Sequence, residues 1–526
     1  MILLFKRLVV FSAITLAVTF VSCKKDDTNA SVRERSVEEV VGEMSVVLNP
    51  YNRTPLAAKL DIQKSTGVEV QIEVLGEAVV SKTYSEDYLG EYAILGLYPD
   101  TTNTVALRFT DNQGNYAIDT IEIETHALDS VGFPDIEIIT KDASKMEPGM
   151  HLAGLHLARG TWFATNPIIF DNNGDIRYYL SMEENGAITW PVQRFSNGNF
   201  MMGANNNIYE VDMLGKIIHT YNLANYSSHH DIIELPNGNL LAAVNKSGST
   251  IMYNGSEISS TDDHIIEIDR ASGAVVTEWD MREILDVSRH DLVDGIGDWF
   301  HMNAVWYSEA DDCIIVSGRQ QGLIKVTRDN QLKWIMAGHR GWGNAGWDGS
   351  GDDTKPYLLN AVDGSGLAYD SLVQIGEQAV NDFDWTWGQH APLIKENGNI
   401  LVFDNGFNRN YGNATTGFSR AVEYRIDEEN KTVTQVWEYG KDRAGETYSM
   451  IISDVDIMPQ TKNVLFTPGI INNNGEQFSR IVEVSYPFKT VVFEAKLNFK
   501  SLQGDGSFAW GQMDICYRSE RVSLYP

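Results

Sequence analysis

Cysteine is nearly absent: the 526 residues hold three, Cys23, Cys313 and Cys516. So few in so long a chain exclude a disulfide framework. Cys313 and Cys516 each sit in an apolar, strand-like run, which favours buried free thiols. One bridge between them stays open, and a cysteine nucleophile is disfavoured. Positive charge is also scarce. Lys plus Arg total 41 against 72 Asp plus Glu, a formal net charge of −31. This excludes a nucleic-acid binder, which needs a basic face to neutralise phosphates. It also disfavours electrostatic docking on an anionic membrane. No Gly-x-x-x-x-Gly-Lys-Ser/Thr pattern occurs, so no P-loop nucleotide site is expected. What the chain does have is 43% hydrophobic residues, enough to bury a large core.

The N-terminus reads as an export address. Lys6 and Arg7 precede an uncharged apolar run from Leu8 to Val21, short for a membrane span but suited to a secretory signal. The run ends at Val21-Ser22-Cys23, which resembles a bacterial lipoprotein signal in which Cys23 is lipidated. Phe20 makes that lipobox degenerate, and an ordinary cleaved signal with an incidental cysteine is the alternative. Lys24-Lys25-Asp26-Asp27 resembles a surface-export tag. Residues 1–22 are therefore expected to be a signal peptide and 23–42 a lipidated tether. The expected location is the outer membrane, periplasmic or cell-surface, with the membrane touched only through the lipid.

The rest reads as all-β. Over residues 43–130, short alternating runs such as Val68-Val70-Ile72-Val74 and Val105-Leu107-Phe109 are separated by turn signals. This spacing predicts a small β-sandwich. A linker is expected over 131–150. The remainder repeats. A strand–turn–strand unit appears at Pro167, Ile208, Ile265, Leu323, Ala421 and Ile481, and a second hairpin precedes most copies. Three of these carry Asn-Gly-Asn, at residues 197–199, 237–239 and 397–399. Asn-Gly between apolar runs signals a tight turn. Two hairpins per unit make one four-stranded propeller blade. Pairing the first hairpin with the last strands, near Ala509 to Tyr517, would close a ring. The prediction is a six-bladed β-propeller over 131–526. A Gly- and Trp-rich insertion at about 337–385 reads as a long loop over one face, a candidate lid.

The histidines locate a site. His230 lies seven residues before Asn237, His390 seven before Asn397, and His301 eight before Glu309. Matching positions on different blades are related by rotation about one axis, so the three converge at the channel. His126, His219 and His264 read as single surface-like residues, and His151 and His156 as structural. Antiparallel return strands place Ser317 and Arg319 near His301, and Asp404 and Asn405 near His390. Asn303 shares a strand face with His301, and Thr467 falls near the start of the unit at Ser453. Three His, one Arg, an Asn and a Thr suit a transferring tetrahedral anion. Arg binds it in a forked geometry, one neutral His attacks or deprotonates, and another donates a proton.

Together, His229-His230-Asp231, His301-Met-Asn303 with Arg319, and Trp387-Gly-Gln-His390 resemble the bacterial arylsulfate sulfotransferases. The resemblance spans nearly the whole mature chain. It implies an N-terminal β-sandwich, a six-bladed propeller and no cofactor or metal. It implies aryl sulfates and phenols as small-molecule partners, and leaves a homodimer open. It makes His390 the nucleophile that carries a transient sulfohistidine. His301, Arg319 and Asn303 become the groups that hold the sulfuryl oxygens, with Thr467 a looser match. His230, or His229 in its place, becomes the acid/base for the phenol. Trp342, Trp347, Trp385 and Trp387 either stack on the substrate ring or pack the insertion. Two rival readings are a metal-dependent propeller lyase or hydrolase, built on His230, His301 and His390, and a non-catalytic binding protein.

Overall fold

The computed structural model describes residues 32–499 and 514–526, apart from 129–132, 160–161, 183–191, 205, 290–295, 415–416 and 474–475. The signal, Cys23 and the first part of the tether lie outside the described residues. Where the polar tether was expected to end, Val37–Val41 form a short helix instead. Ser36 caps it, accepting from the Glu39 backbone while the Glu39 side chain returns to the Ser36 N–H. Its Val40 and Val41 are buried in the core of the first domain.

That domain is a sandwich of a three-stranded and a four-stranded antiparallel sheet, built from strands between Met44 and Glu124. The long strand Thr102–Asp111 buries alternate residues, including Val105, Leu107 and Phe109. The period of two in the sequence thus becomes one buried face.

Among the described residues six sheets follow, each built on four antiparallel strands and two of them extended by further strands, and they form a propeller. Blade 2 holds Val192–Arg194, Phe200–Ala204, Asn207–Val211 and Ile217–Asn222. Blade 3 holds Tyr226–Glu234, Leu240–Lys246, His264–Ile268 and Val275–Asp280. Blade 4 holds Met302–Ser308, Cys313–Gly318, Gly322–Thr327 and Leu332–Met336. Blade 5 holds His390–Ile394, Ile400–Asp404, Arg420–Asp427 and Thr432–Tyr439. Blade 6 holds Asp454–Ile457, Val464–Thr467, Glu476–Val484 and Val491–Asn498. Blade 1 joins the two ends of the region: Ile515–Val522 pairs with Met150–Arg159, followed by Trp162–Phe170 and Ile176–Tyr179. Ring closure by pairing the ends is as expected, but Met150–Arg159 supplies a strand before the Pro167 hairpin that the sequence pattern did not reveal. The described part of the expected linker, from Phe133 on, is not only a connection. Its Asp135–Lys141 adds a fifth strand to the outer edge of blade 6.

The sandwich is welded to the ring. Arg177 in blade 1 donates from Nε and Nη2 to the Gly96 carbonyl (3.0 and 2.6 Å). Thr54 Oγ1 donates to Leu214 O (2.8 Å), and Tyr525 OH accepts from Leu95 N (2.8 Å). One apolar cluster runs from the sandwich into blades 1 and 2. Cys313 and Cys516 are both buried and unbridged.

The insertion is not a free lid along its length. Its Asn360–Ala361 pairs parallel with the outer strand of blade 5. Trp342 is buried in the core shared by blades 3 and 4, under the Arg289 guanidinium (4.1 Å to the ring). Trp385 lies in the core between blades 4 and 5, its indole N–H donating to Val373 O (2.8 Å). Trp347 is about half exposed. His264 corrects the sequence reading outright. It is fully buried, with Nδ1 2.7 Å from Asp263 and Nε2 3.4 Å from Asp280.

Candidate active site

The inner strands of blades 3, 4 and 5 share one distortion. Pairing with the second strand slips at Ser228/Ile232, Met302/Ala304 and His390/Leu393. A non-glycine residue with positive φ sits within or just before each slip: His230 (49°), His301 (51°) and Ala391 (49°). Bulges of this kind re-aim side chains, and a left-handed backbone at a β-position stores strain that persists at functional sites. Each irregularity lies at or beside a histidine of the candidate site.

The histidines meet there. His230 and His301 have ring centroids 5.1 Å apart, and His229 Nδ1 is 3.0 Å from His230 Nδ1. Arg319 donates its backbone N–H to His301 O (3.0 Å), and its guanidinium lies over Phe407 (4.9 Å). Asn303 is fully buried and donates from Nδ2 to Gln389 O (2.7 Å), the carbonyl just before His390. Ser317 Oγ donates to the same carbonyl (3.2 Å). Blade 4 is thereby bolted to the nucleophile candidate of blade 5. Asn303 Oδ1 is buried with no hydrogen-bond partner among the described residues.

His390 itself is fixed from behind. Its Nδ1 lies 2.8 Å from Asn405 Oδ1 and 3.1 Å from Gly388 O. The Asn405 amide nitrogen donates to Ser449 O and Ile452 O, both at 2.8 Å. With its NH₂ committed to two carbonyls, Asn405 can offer His390 only its oxygen. Two acceptors face Nδ1, so Nδ1 carries the proton and the Nε2 lone pair is left for reaction. Burial lowers the pKa of His390 well below its ordinary value, with the Arg319 and His301 charges adding to this and the Asn405 bond opposing. The ring is neutral at pH 7, as a nucleophile requires. Burial also lowers His230 well below its ordinary value, and His301, His229, His390 and Arg518 reinforce that.

Three further residues named from the sequence have partners of their own. Asp404, expected beside His390, turns away to accept from Trp387 N (2.9 Å) and to pair with Arg409 and Arg420. Thr467 is buried opposite Asp454, at the start of blade 6, and its hydroxyl shares a hydrogen bond with Ser519 in blade 1 (2.5 Å). Trp387 is buried with Phe383 and Trp385 and meets Tyr411 edge-on (5.0 Å), although it lines a small cavity with Arg319.

Two carboxylates escaped the sequence reading. Asp298 Oδ2 lies 2.6 Å from His301 Nδ1. Asp262 stands between two histidines, Oδ1 3.6 Å from His229 Nε2 and Oδ2 3.9 Å from His301 Nδ1. Both occur in loops before strands, outside the repeat register, so nothing in the periodicity marks them. Among the described residues, two groups have metal-ligand spacing: His229–His230–Asp262 and Asp262–Asp298–His301. His390 belongs to neither, so the three-histidine metal set of the rival reading is not assembled.

The profile described as Arylsulfotransferase (ASST) matches residues 136–507, and the one described as Arylsulfotransferase Ig-like domain matches 45–126. The chain belongs to the arylsulfotransferase family. Two similar proteins are both named arylsulfate sulfotransferase AssT. The one from Escherichia coli is 28% identical, covering 86% of this chain and 89% of its own. The one from Lelliottia amnigena is 26% identical with the same coverage. Among solved structures, a gluconolactonase from Xanthomonas campestris aligns over 70% of this chain and 92% of its own at 9% identity, with a TM-score of 0.31. The propeller assignment rests on the strand pairing itself.

Proposed function

We propose that this protein moves a sulfuryl group from an aryl sulfate to a phenol by double displacement, with His390 as the transient carrier. The observation that carries the proposal is the fixed tautomer of His390: a neutral, buried imidazole with Nδ1 held and Nε2 available, beside Arg319, His301 and Asn303. Both similar proteins named above carry the name of this activity.

In the first half-reaction, Arg319, His301 and Asn303 hold the sulfuryl oxygens. His390 Nε2 attacks sulfur, the N–S bond forms and the S–O bond to the aryl group breaks. The negative charge of the bound sulfate offsets the burial that keeps His230 neutral, so His230 takes up a proton with the donor and gives it to the departing oxygen. Positive charge develops on the His390 ring and is met by the carbonyl oxygens of Asn405 and Gly388. Prepositioned dipoles of this kind act without reorganising in the transition state. In the second half-reaction a phenol enters, His230 removes its proton, the new O–S bond forms and the N–S bond breaks. Thr467 and Trp387 are assigned to the outer edge of the site, the first through Ser519 and the second through the cavity it shares with Arg319. The test is acceptor-dependent release of nitrophenol from 4-nitrophenyl sulfate. Transfer by His390→Ala at the wild-type rate refutes the nucleophile.

The export reading belongs to the same proposal. Cys23 anchors the protein by lipid at the outer membrane. Metabolic labelling with a radioactive fatty acid should mark the wild type and not Cys23→Ala, whereas equal labelling of both removes the anchor.

A further inference from the structure

The acid/base histidine does not stand alone. Behind His230 lies His229, with the two Nδ1 atoms 3.0 Å apart, a hydrogen bond that needs exactly one proton between them. Behind His229 lies Asp262, and His229 Nε2 is buried with no hydrogen-bond partner among the described residues while facing that carboxylate at 3.6 Å. Asp262 is held in place from both sides of its peptide. Its N–H donates to Asn245 Oδ1 (2.6 Å), and its carbonyl accepts from Met302 N (2.9 Å), the residue after His301. Its φ of 54° is left-handed, a conformation that costs free energy for aspartate and persists where the surroundings impose it. The carboxylate is 14% exposed, while both imidazoles are buried. The three groups thus form a line from solvent-accessible carboxylate to buried acid/base.

We infer that Asp262 and His229 are positioning residues for His230, forming a charge-stabilising line that lets His230 exchange its proton with the phenol oxygen. The inference rests on the sulfuryl-transfer reading above. When the acceptor phenol yields its proton to His230 Nε2, the ring carries a positive charge. Its Nδ1–H then donates to His229 Nδ1, and His229 Nε2–H points to Asp262. In the opposite half-reaction the proton leaves His230 for the departing phenolate, and the line returns to its neutral form. No proton is lost over the cycle. The second oxygen of Asp262 faces His301 at 3.9 Å, so the same carboxylate spaces the acid/base from the sulfuryl-holding histidine. His301 has its own closer carboxylate, Asp298 at 2.6 Å, which leaves Asp262 chiefly to His229.

Leaving-group dependence tests this. Nitrophenolate departs with little help, whereas phenolate needs a proton, and a positioned acid contributes roughly 10² to 10⁴ in rate. Wild type, Asp262→Asn and His229→Gln are compared with phenyl sulfate and 4-nitrophenyl sulfate as donors to a common acceptor. In both variants kcat/KM should fall at least about tenfold further for phenyl sulfate than for 4-nitrophenyl sulfate. Asp262→Glu should recover part of that ratio. Parallel losses with the two donors, in either variant that folds, would overturn the line while leaving the transfer reading intact. Failure of the wild type to transfer from either donor would instead sink the transfer reading, and the line with it.

Discussion

At the scale of single residues, the site is an exercise in holding histidines in chosen states. His390 is kept neutral by burial and given one tautomer by Asn405. Replacing Asn405 with Ala removes that acceptor and takes its donor from the Ile452 carbonyl, while the Ser449 carbonyl keeps Ser419 Oγ (3.2 Å). The expected result is a loss of about tenfold or more in the rate of sulfuryl uptake, read as the single-turnover burst of nitrophenol, with donor binding changed less. His264 is held in the opposite state. Burial opposes its charge, but Asp263 and Asp280 outweigh it and lift its pKa to about 9. A folded pKa above the unfolded one means its stabilisation is complete below about pH 6.5 and is lost as pH rises through 9. His264→Gln should therefore flatten the fall in melting temperature between pH 7 and pH 10.

This scale also shows what the sequence could reveal. His230, His301 and His390 were legible because blade repetition gives them the same register, and the return strands named Arg319 and Asn405 as neighbours. Asp262 and Asp298 were not legible. They sit in loops whose path depends on tertiary packing, and one Asp among 72 acidic residues carries no mark of its own. His264 was misread for a related reason: its partners Asp263 and Asp280 are a neighbour and a cross-strand residue, and only the pairing of the strands brings the second to it.

At the scale of elements, the Asn-Gly-Asn turns do more than reverse the chain. Glycine takes the positive φ the turn requires, 82° to 84° at Gly198, Gly238 and Gly398. The flanking asparagines both donate to a glutamate on the third strand. Asn197 and Asn199 reach Glu210, Asn237 and Asn239 reach Glu267, and Asn397 and Asn399 reach Glu423. The clamp locks the first hairpin of a blade to the second. The sequence declared the turn through its glycine but not the clamp, because the glutamate lies 24 to 28 residues beyond the last Asn in two of the three blades. Glu423 is completely buried and also pairs with Lys395 at 2.6 Å. Glu423→Ala leaves three donors without their acceptor. It should cost about 3 kcal/mol or more, measured by denaturant unfolding. A cost below about 0.5 kcal/mol would mean that the clamp is ornamental.

At the scale of the whole molecule, the ring is closed by chain ends that meet in blade 1, and Arg194 of blade 2 fastens the tail by donating to Leu524 O (2.9 Å). Ile515–Val522 pairs with Met150–Arg159, so removing residues 515–526 should leave that strand with an unpaired edge and yield insoluble protein, scored by the soluble fraction on expression. The net charge of −31 is not all on the outside. Asp231, Asp454, Asp456 and Glu520 line a cavity of about 270 Å³ along the axis, with Arg518 paired to Asp231 at 2.7 Å. Burial raises Asp454 to about 6, against the Arg518 charge. Burial and then Asp454 raise Glu520 to about 7, and the same two causes push Asp456 well up. Folded values above unfolded ones mean these acids favour the native state at low pH and weigh against it as pH rises through about 6 to 7. Asp456→Asn should accordingly raise the melting temperature at pH 8 and leave it nearly unchanged at pH 4.5. The sequence announced the acidity as a total but not its concentration on the axis, because the four residues come from blades 1, 3 and 6.

The central claim is that His390 carries the sulfuryl group between donor and acceptor. The most direct measurement is the intact and peptide mass of the protein mixed with 4-nitrophenyl sulfate without acceptor and quenched in alkali. One SO₃ per chain on the peptide containing His390, formed with one equivalent of nitrophenol and discharged by added phenol, is the predicted result. Nitrophenol release with no bound SO₃, or with SO₃ on a peptide lacking His390, would contradict it.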